Sequence, residues 1–242
     1  FLNADDREVS SIREPLKNFL HILNKYFFKN TIFPSYLLGG IKGRSYIDNA
    51  KQHANQRILI NEDITKFYPS ISQKLVKDTF QYFFHLPNDI ANFIAELCCL
   101  NGSLATGSPI SGNIANLVLF DREPIVVAKL QAKGLLYTRF IDDITVSSHK
   151  KMSKKDITEV KTIIYGMLIS KGLKINRTKS KILTPKHSMH VHKIIVNHTN
   201  IQPSKTAIES MRANLYKFRM ICSKDDVKVQ EVLKIYKSME GK

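Results

Sequence analysis

The stretch YTRFIDDITVSS, residues 137–148, sets two aspartates, Asp142 and Asp143, side by side between two runs that read as β-strands. LLYTRFI on one side and ITVSS on the other have the aromatic and branched character of the arms of a hairpin. Asp is a common turn residue, so on the dipeptide alone a solvent-exposed turn is the plainer reading. An ordinary hairpin turn, however, more often carries Gly or Asn beside the aspartate. Here the flanks are Phe140, Ile141 and Ile144. Like charges beside a packed sheet disfavour one another's ionisation and cost stability unless a cation neutralises them. A charged pair pinned between apolar residues therefore points to a metal.

A second acidic position strengthens that reading. In ILINEDITKFYPSIS, residues 58–72, an apolar strand ends at Asp63. Hard divalent cations take oxygen ligands and keep waters and substrate phosphates for the rest of their shell. Two such ions about 3.5–4 Å apart activate an attacking hydroxyl and stabilise a leaving oxygen. Asp63, Asp142 and Asp143 supply the three carboxylates this needs if adjacent strand ends bring them together. The constellation serves phosphoryl transfer generally, nucleases included.

The bulk numbers agree. Lys and Arg outnumber Asp and Glu by 37 to 21 in 242 residues, a net charge of +16. Such an excess points to a polyanionic partner, with nucleic acid first and an anionic membrane surface second. At 43% hydrophobic residues the chain can bury a core, which argues against global disorder. No run approaches the roughly 20 apolar residues of a spanning helix, and the start shows no signal-peptide pattern. The cysteines Cys98, Cys99 and Cys222 are too few and too irregular for a disulfide framework or a zinc pair. They are expected to be reduced and buried in a cytoplasmic protein.

Along the chain, apolar spacing predicts helices over 14–28, 73–84, 89–100, 113–123, 154–170, 204–219 and 225–238. IDNAKQHANQ reads as a short polar helix, and Pro124 as the place where the helix before it bends or ends. RILIN, the two hairpin arms, GLKI, KILT and VHKIIVN read as strands. The mixture lacks strict strand–helix alternation, so the expected class is α+β: a small, mostly antiparallel sheet with helices on one face.

In order, these stretches resemble the reverse transcriptases, most of all the bacterial retron-type branch, which shades into phage-defence enzymes. FIDD at 140–143 stands where that family has its Tyr-x-Asp-Asp box. INEDITKFYPSI at 60–71 is similar to the motif with the first catalytic aspartate. TGSPISGNIAN at 106–116 resembles the Gln-Gly-x-Pro-x-Ser-Pro box, and GLKINRTKSKI at 172–182 the Gly…Asn-x-x-Lys motif. NAKQH at 49–53 fits the retron Asn-Ala-x-x-His signature, and REVSSIREPLKN at 7–18 a segment leaving the fingers. The chain departs from the pattern at Phe140, Ile141, Thr106 and Gly112. It departs again at VHK, 191–193, where retron enzymes typically carry Val-Thr-Gly.

The resemblance implies a right-hand polymerase with partial fingers over 1–58, an antiparallel-sheet palm over 59–200 and a short helical thumb over 201–242. It implies RNA-templated DNA synthesis, with an RNA template, a DNA or RNA primer duplex and dNTPs as partners. Two Mg²⁺ ions, replaceable by Mn²⁺, fall to Asp63, Asp142 and Asp143 with the carbonyl of Ile64. Lys179 matches the family's mobile lysine near the leaving pyrophosphate, with ordinary solvated charge as the competing reading. Tyr68 matches a steric gate against the ribose 2′-hydroxyl, where an aromatic beside Phe67 is otherwise core. Thr106, Gly107, Ser108 and Pro109 fall to the nucleotide, with generic loop chemistry as the alternative. Arg7 falls to the triphosphate, with Lys42 and Arg44 as runners-up. Asn49, His53, His192, Lys193, Lys205 and Arg212 fall to nucleic acid, although for Asn49 and His53 a structural role is equally open. A template-independent or protein-primed polymerase, a two-metal nuclease and a non-catalytic RNA-binding scaffold stay open, as do an effector protein or a homo-oligomer as further partners. Anti-phage defence rests on resemblance alone.

Overall fold

The computed structural model describes residues 11–223. Arg7 and the helix expected over 225–238 lie outside them. Chain order is α1 (Leu16–Phe28), α2 (Tyr46–Gln52), β1 (Ile58–Asp63), α3 (Phe67–Ser70), α4 (Gln73–Asp78), α5 (Asn88–Cys98), β2 (Cys99–Leu100) and β3 (Ser103–Leu104). Then follow α6 (Ser111–Leu117), α7 (Glu123–Ala132), β4 (Leu136–Phe140), β5 (Asp143–Ser148), α8 (Lys154–Ile169), β6 (Lys181–Leu183), β7 (His190–Val191), β8 (Ile194–Ile195), β9 (Gln202–Pro203) and α9 (Lys205–Cys222). Local chemistry sets many of these boundaries. Ser45 with Asp48 opens α2 and Ser153 with Asp156 opens α8, each as a reciprocal capping box. After α4 the chain runs one wider turn, Thr79–Phe83, before α5.

Some expected elements differ, and VHKIIVN in particular is not one strand but the hairpin β7–β8. The helix placed at 113–123 is two helices, and Pro124 lies in the first turn of α7 rather than stopping its predecessor. The N–H groups of a helix's first turn have no acceptor within the helix, so a proline gives up no helical hydrogen bond there. GLKI is not a strand; it makes a single bridge, Ile64 to Ile175.

The central sheet is antiparallel, in the order β4-β5-β1-β6. Alternation along each strand divides its side chains between two faces. Ile60, Tyr137, Ile144 and Val146 join the main core with residues of α1 and of α4 to α8. Leu59 faces the other way, into a smaller cluster with Ala50 of α2 and Met189, Val191, Ile194 and Val196 around the hairpin β7–β8. The sheet is thus covered on both sides, although the second cover is thin and leaves one end open. Among the described residues no helix is long and apolar enough to cross a membrane.

Helix α9 differs from the rest, with no buried residue. Its apolar residues Ile208, Met211 and Leu215 line a groove of about 810 Å³. Tyr46, Phe140, His192 and Ile194 form the opposite wall. Cys98 is buried as expected, and burial pushes its thiol up to about 12. Cys99 is only half-buried and Cys222 is exposed, contrary to expectation, because α9 packs too loosely to bury it.

Candidate active site

The register of β1 on β5 makes Asp63 the direct cross-strand partner of Asp143. Side chains so opposed have Cβ atoms about 4.5–5.5 Å apart and share one face. Asp142 sits in the turn beside them, and its carbonyl accepts from Ile64 N–H at 3.0 Å. The backbone at the end of β1 is held from the other side too, where Asn176 N–H donates to the Asp63 carbonyl at 2.7 Å. The three carboxylates therefore belong to one end of one sheet face. Asp63 is 7% exposed.

The turn carrying Asp142 is strained. Ile141 has φ +58°, a left-handed conformation that a β-branched residue rarely adopts. Such outliers cost about 1–3 kcal/mol and persist only where the surroundings fix them. Gly39 lies so close that an added Cβ would stand 2.6 Å from Ile141 N. Asn116 Nδ2 holds the Gly39 carbonyl at 2.8 Å, and Leu38 N–H donates to Arg139 O at 2.9 Å. From beneath, Arg139 donates to the carbonyls of Ile141 and Asn116. It also donates to Glu123, at 2.6 and 2.8 Å, and to the Ala115 carbonyl at 3.5 Å, inside the core. Sequence reading missed this support. Its one signal was the Gly39-Gly40 pair, which looks like any flexible loop.

Electrostatics at the open end centre on Lys179. Its ammonium lies 2.8 Å from Asp63 Oδ1. Its pKa is raised, first by that hydrogen bond and also by the charges of Asp63, Asp142 and Asp143. One cationic group thus feels all three carboxylates. Among the described residues no three His, Cys, Asp or Glu side chains close on one point tightly enough to cage an ion. The donor set fits Mg²⁺ bound through one or two carboxylates, with water and phosphate oxygens completing the shell. His192 Nδ1 stands 3.5 Å from Asp143 Oδ2.

Tyr68 is half-buried at the rim. Burial raises its pKa, with a further push from the charge of Asp142. Its hydroxyl would stand 3.9 Å from a Cβ on Gly112. In the turn before α6, Gly107 is exposed with φ +93°, and Thr106 and Pro109 are half-buried. Ser108 Oγ is enclosed and has no hydrogen-bond partner among the described residues.

The remaining expectations divide. His192, Lys193 and Arg212 come together on the groove under α9. Lys205 is not on it and lies 3.9 Å from Glu209 on the exposed side of the helix. Asn49 and His53 are buried completely and do not present a surface to nucleic acid. They share one face of α2, as i and i+4 should, but that face meets the sheet. Arg44 is not free for a phosphate either, because its guanidinium donates to the carbonyls of Phe33, Pro34 and Leu37.

A family model described as reverse transcriptase (RNA-dependent DNA polymerase) matches residues 2–207. Among curated proteins, the retron Se72 reverse transcriptase of Salmonella heidelberg (strain 579083-10) is 37% identical, over 77% of this chain and 49% of its own length. The retron Ec48 reverse transcriptase of Escherichia coli is 29% identical, over 94% of this chain and 58% of its own. This chain therefore spans about half the length of the curated relatives it matches. Among solved structures, telomerase from Candida albicans in complex with a TWJ fragment of telomeric RNA superposes with a TM-score of 0.54. It is 12% identical, over 84% of this chain and 43% of that one, a likeness of fold.

Proposed function

This chain belongs to the reverse transcriptase family, and we propose that it is an RNA-directed DNA polymerase. It extends a primer 3′-hydroxyl with dNTPs along an RNA template. The observation that carries this reading is the register pairing Asp63 with Asp143 beside Asp142, at the open end of the sheet and beside the groove under α9. Residues 1–58, 59–200 and 201–242 then correspond to fingers, palm and thumb.

Asp63, Asp142 and Asp143, with the Ile64 carbonyl, would hold the Mg²⁺ ions. When bound, these neutralise charge on the attacking and leaving oxygens. The protein contributes positioning. The clamped turn fixes Asp142, and the strand register fixes Asp63 against Asp143. Tyr68 is assigned the gate, a flat ring that excludes a 2′-hydroxyl by clash. Lys179 can pass from Asp63 to the departing pyrophosphate and give it a proton. Gly107 leaves room for a base, and the orphaned Ser108 hydroxyl offers a polar contact in the same turn. Lys193 and Arg212 meet the duplex backbone across the groove. The similarity to retron enzymes supports a cognate structured RNA as template.

Asp142→Asn is the test. It should lower incorporation of labelled dNTP on primed RNA by about a thousandfold, the scale of several kcal/mol of lost charge stabilisation. Binding of the primed RNA should stay nearly unchanged. Retained polymerisation would refute the assignment, and shortening of the substrate by the wild-type chain would favour a nuclease.

A further inference from the structure

We propose that His192 is a positioning residue for Asp143, held in one tautomer by a one-way chain of hydrogen bonds that begins inside the sheet. This rests on reading Asp143 as part of the acidic site. The contacts run unbroken across the second face. Ser147 Oγ lies 2.7 Å from His53 Nδ1, and His53 Nε2 lies 2.7 Å from Thr138 Oγ1. Thr138 Oγ1 lies 2.6 Å from Asn49 Oδ1, and Asn49 Nδ2 lies 2.9 Å from His192 Nε2. His192 Nδ1 ends the series, 3.5 Å from Asp143 Oδ2.

Each direction is forced by its neighbour. A carboxamide oxygen only accepts, so Thr138 gives its single hydroxyl proton to Asn49. The Thr138 oxygen must then accept from His53, which places a proton on His53 Nε2. Burial holds the His53 pKa down to about 3, so the ring is neutral and its Nδ1 accepts from Ser147. The Asn49 amide nitrogen only donates, so His192 Nε2 keeps its lone pair. The ring proton of His192 therefore sits on Nδ1, the nitrogen facing Asp143.

The ring is also fixed in place. Phe140 meets it edge-to-face at 4.6 Å between centroids, and Tyr46 stands at 6.4 Å. The backbone of His192 is left-handed, with φ +55°, at the tip of the β7–β8 hairpin. The result is a neutral donor beside a carboxylate. A cation there would compete with a metal, whereas a neutral N–H steadies one oxygen and leaves the full charge for an ion.

The first test is the tautomer itself, read in the metal-free wild-type chain by long-range nitrogen–proton correlation on ¹⁵N-histidine. Expected are the Nε2–H form for His53 and the Nδ1–H form for His192. An Nε2–H form at His192 overturns the proposal. The second is Mn²⁺ binding, followed by electron paramagnetic resonance of the free ion. His192→Gly suits the left-handed backbone and should weaken binding about tenfold, as loss of an outer hydrogen-bond partner does. His192→Asn keeps a donor near the Nδ1 position, also suits that backbone, and should restore binding. Equal affinity in wild type and both variants, with Asp142→Asn still abolishing binding, overturns the role of His192 alone. Binding indifferent to Asp142→Asn as well overturns the acidic-site reading and this inference with it.

Discussion

On the sheet face that meets α7 and α8, buried charge is closed on itself. Arg139 and Glu123 are essentially unexposed and make a two-pronged pair, to which Tyr137 adds its hydroxyl at 2.7 Å. Glu62 on the same face is met by Lys161 at 3.0 Å, Ser180 and Tyr165. One residue further along β1, Asp63 turns to the opposite face, where Asp143 faces it and its ion-pair partner is Lys179, 57% exposed. The two faces hold similar groups with different freedom. Charges enclosed by fixed partners hold the fold, and through Arg139 the aspartate turn, in place. Charges held by a partner free to leave are available to a ligand.

The largest way to break this contrast is on the closed face. Glu123→Ala strands Arg139 in the core and should cost about 3–5 kcal/mol, measured as a shift in urea midpoint at constant slope. Replacing Arg139 and Glu123 together by Met and Leu removes the stranded charge and should recover part of it, while the carbonyls of Ile141 and Asn116 still lose their donor. A double variant as unstable as the single one would mean that those carbonyl contacts, and not the stranded charge, set the cost.

Next comes the support between the faces. Gly39→Ala drives a Cβ into the backbone of Ile141 and shifts the aspartate turn, so incorporation should fall about a hundredfold while stability falls by about 1–3 kcal/mol. Unchanged activity would show that the turn tolerates displacement.

The polar face should also be the acid-labile one. His53 is buried neutral, with its pKa held down to about 3, against about 6.5 in an unfolded chain. Below 6.5 the unfolded state binds a proton that the folded state refuses. His53 thus leaves stability intact above about 6.5 and withdraws it as pH falls toward 3. The expected loss is about 2 kcal/mol at pH 5, at 1.36 kcal/mol per unit. Denaturation at several pH values should show this slope, and His53→Leu should lack it.

The smallest effect sits at the rim. Tyr68→Ala should raise ribonucleotide over deoxyribonucleotide incorporation about tenfold, the scale of one lost steric contact. Unchanged sugar selectivity would leave Tyr68 a packing residue.

Much of the site was legible because its residues are chemically odd for their surroundings. Two adjacent aspartates between Phe140, Ile141 and Ile144 need an explanation from the sequence alone. The central strands followed from branched apolar runs, and α1, α5, α8 and α9 from helical spacing. The boundary at Pro124 misled, because proline ends one helix and starts another with equal ease. His53 and Asn49 misled for a different reason. A polar pair on one helix face looks alike whether that face meets solvent or the polar side of a sheet.

Sequence by itself determined the chemistry on offer: three carboxylates at strand ends, a lysine in a turn and a basic surface, because charge and backbone periodicity are local properties. Tertiary structure decided which carboxylates stay available. The β1–β5 register sends Glu62 to Lys161 and Asp63 to Asp143, and Gly39 makes room for Ile141. Those outcomes depend on contacts between segments about 80 to 100 residues apart, which no local pattern encodes.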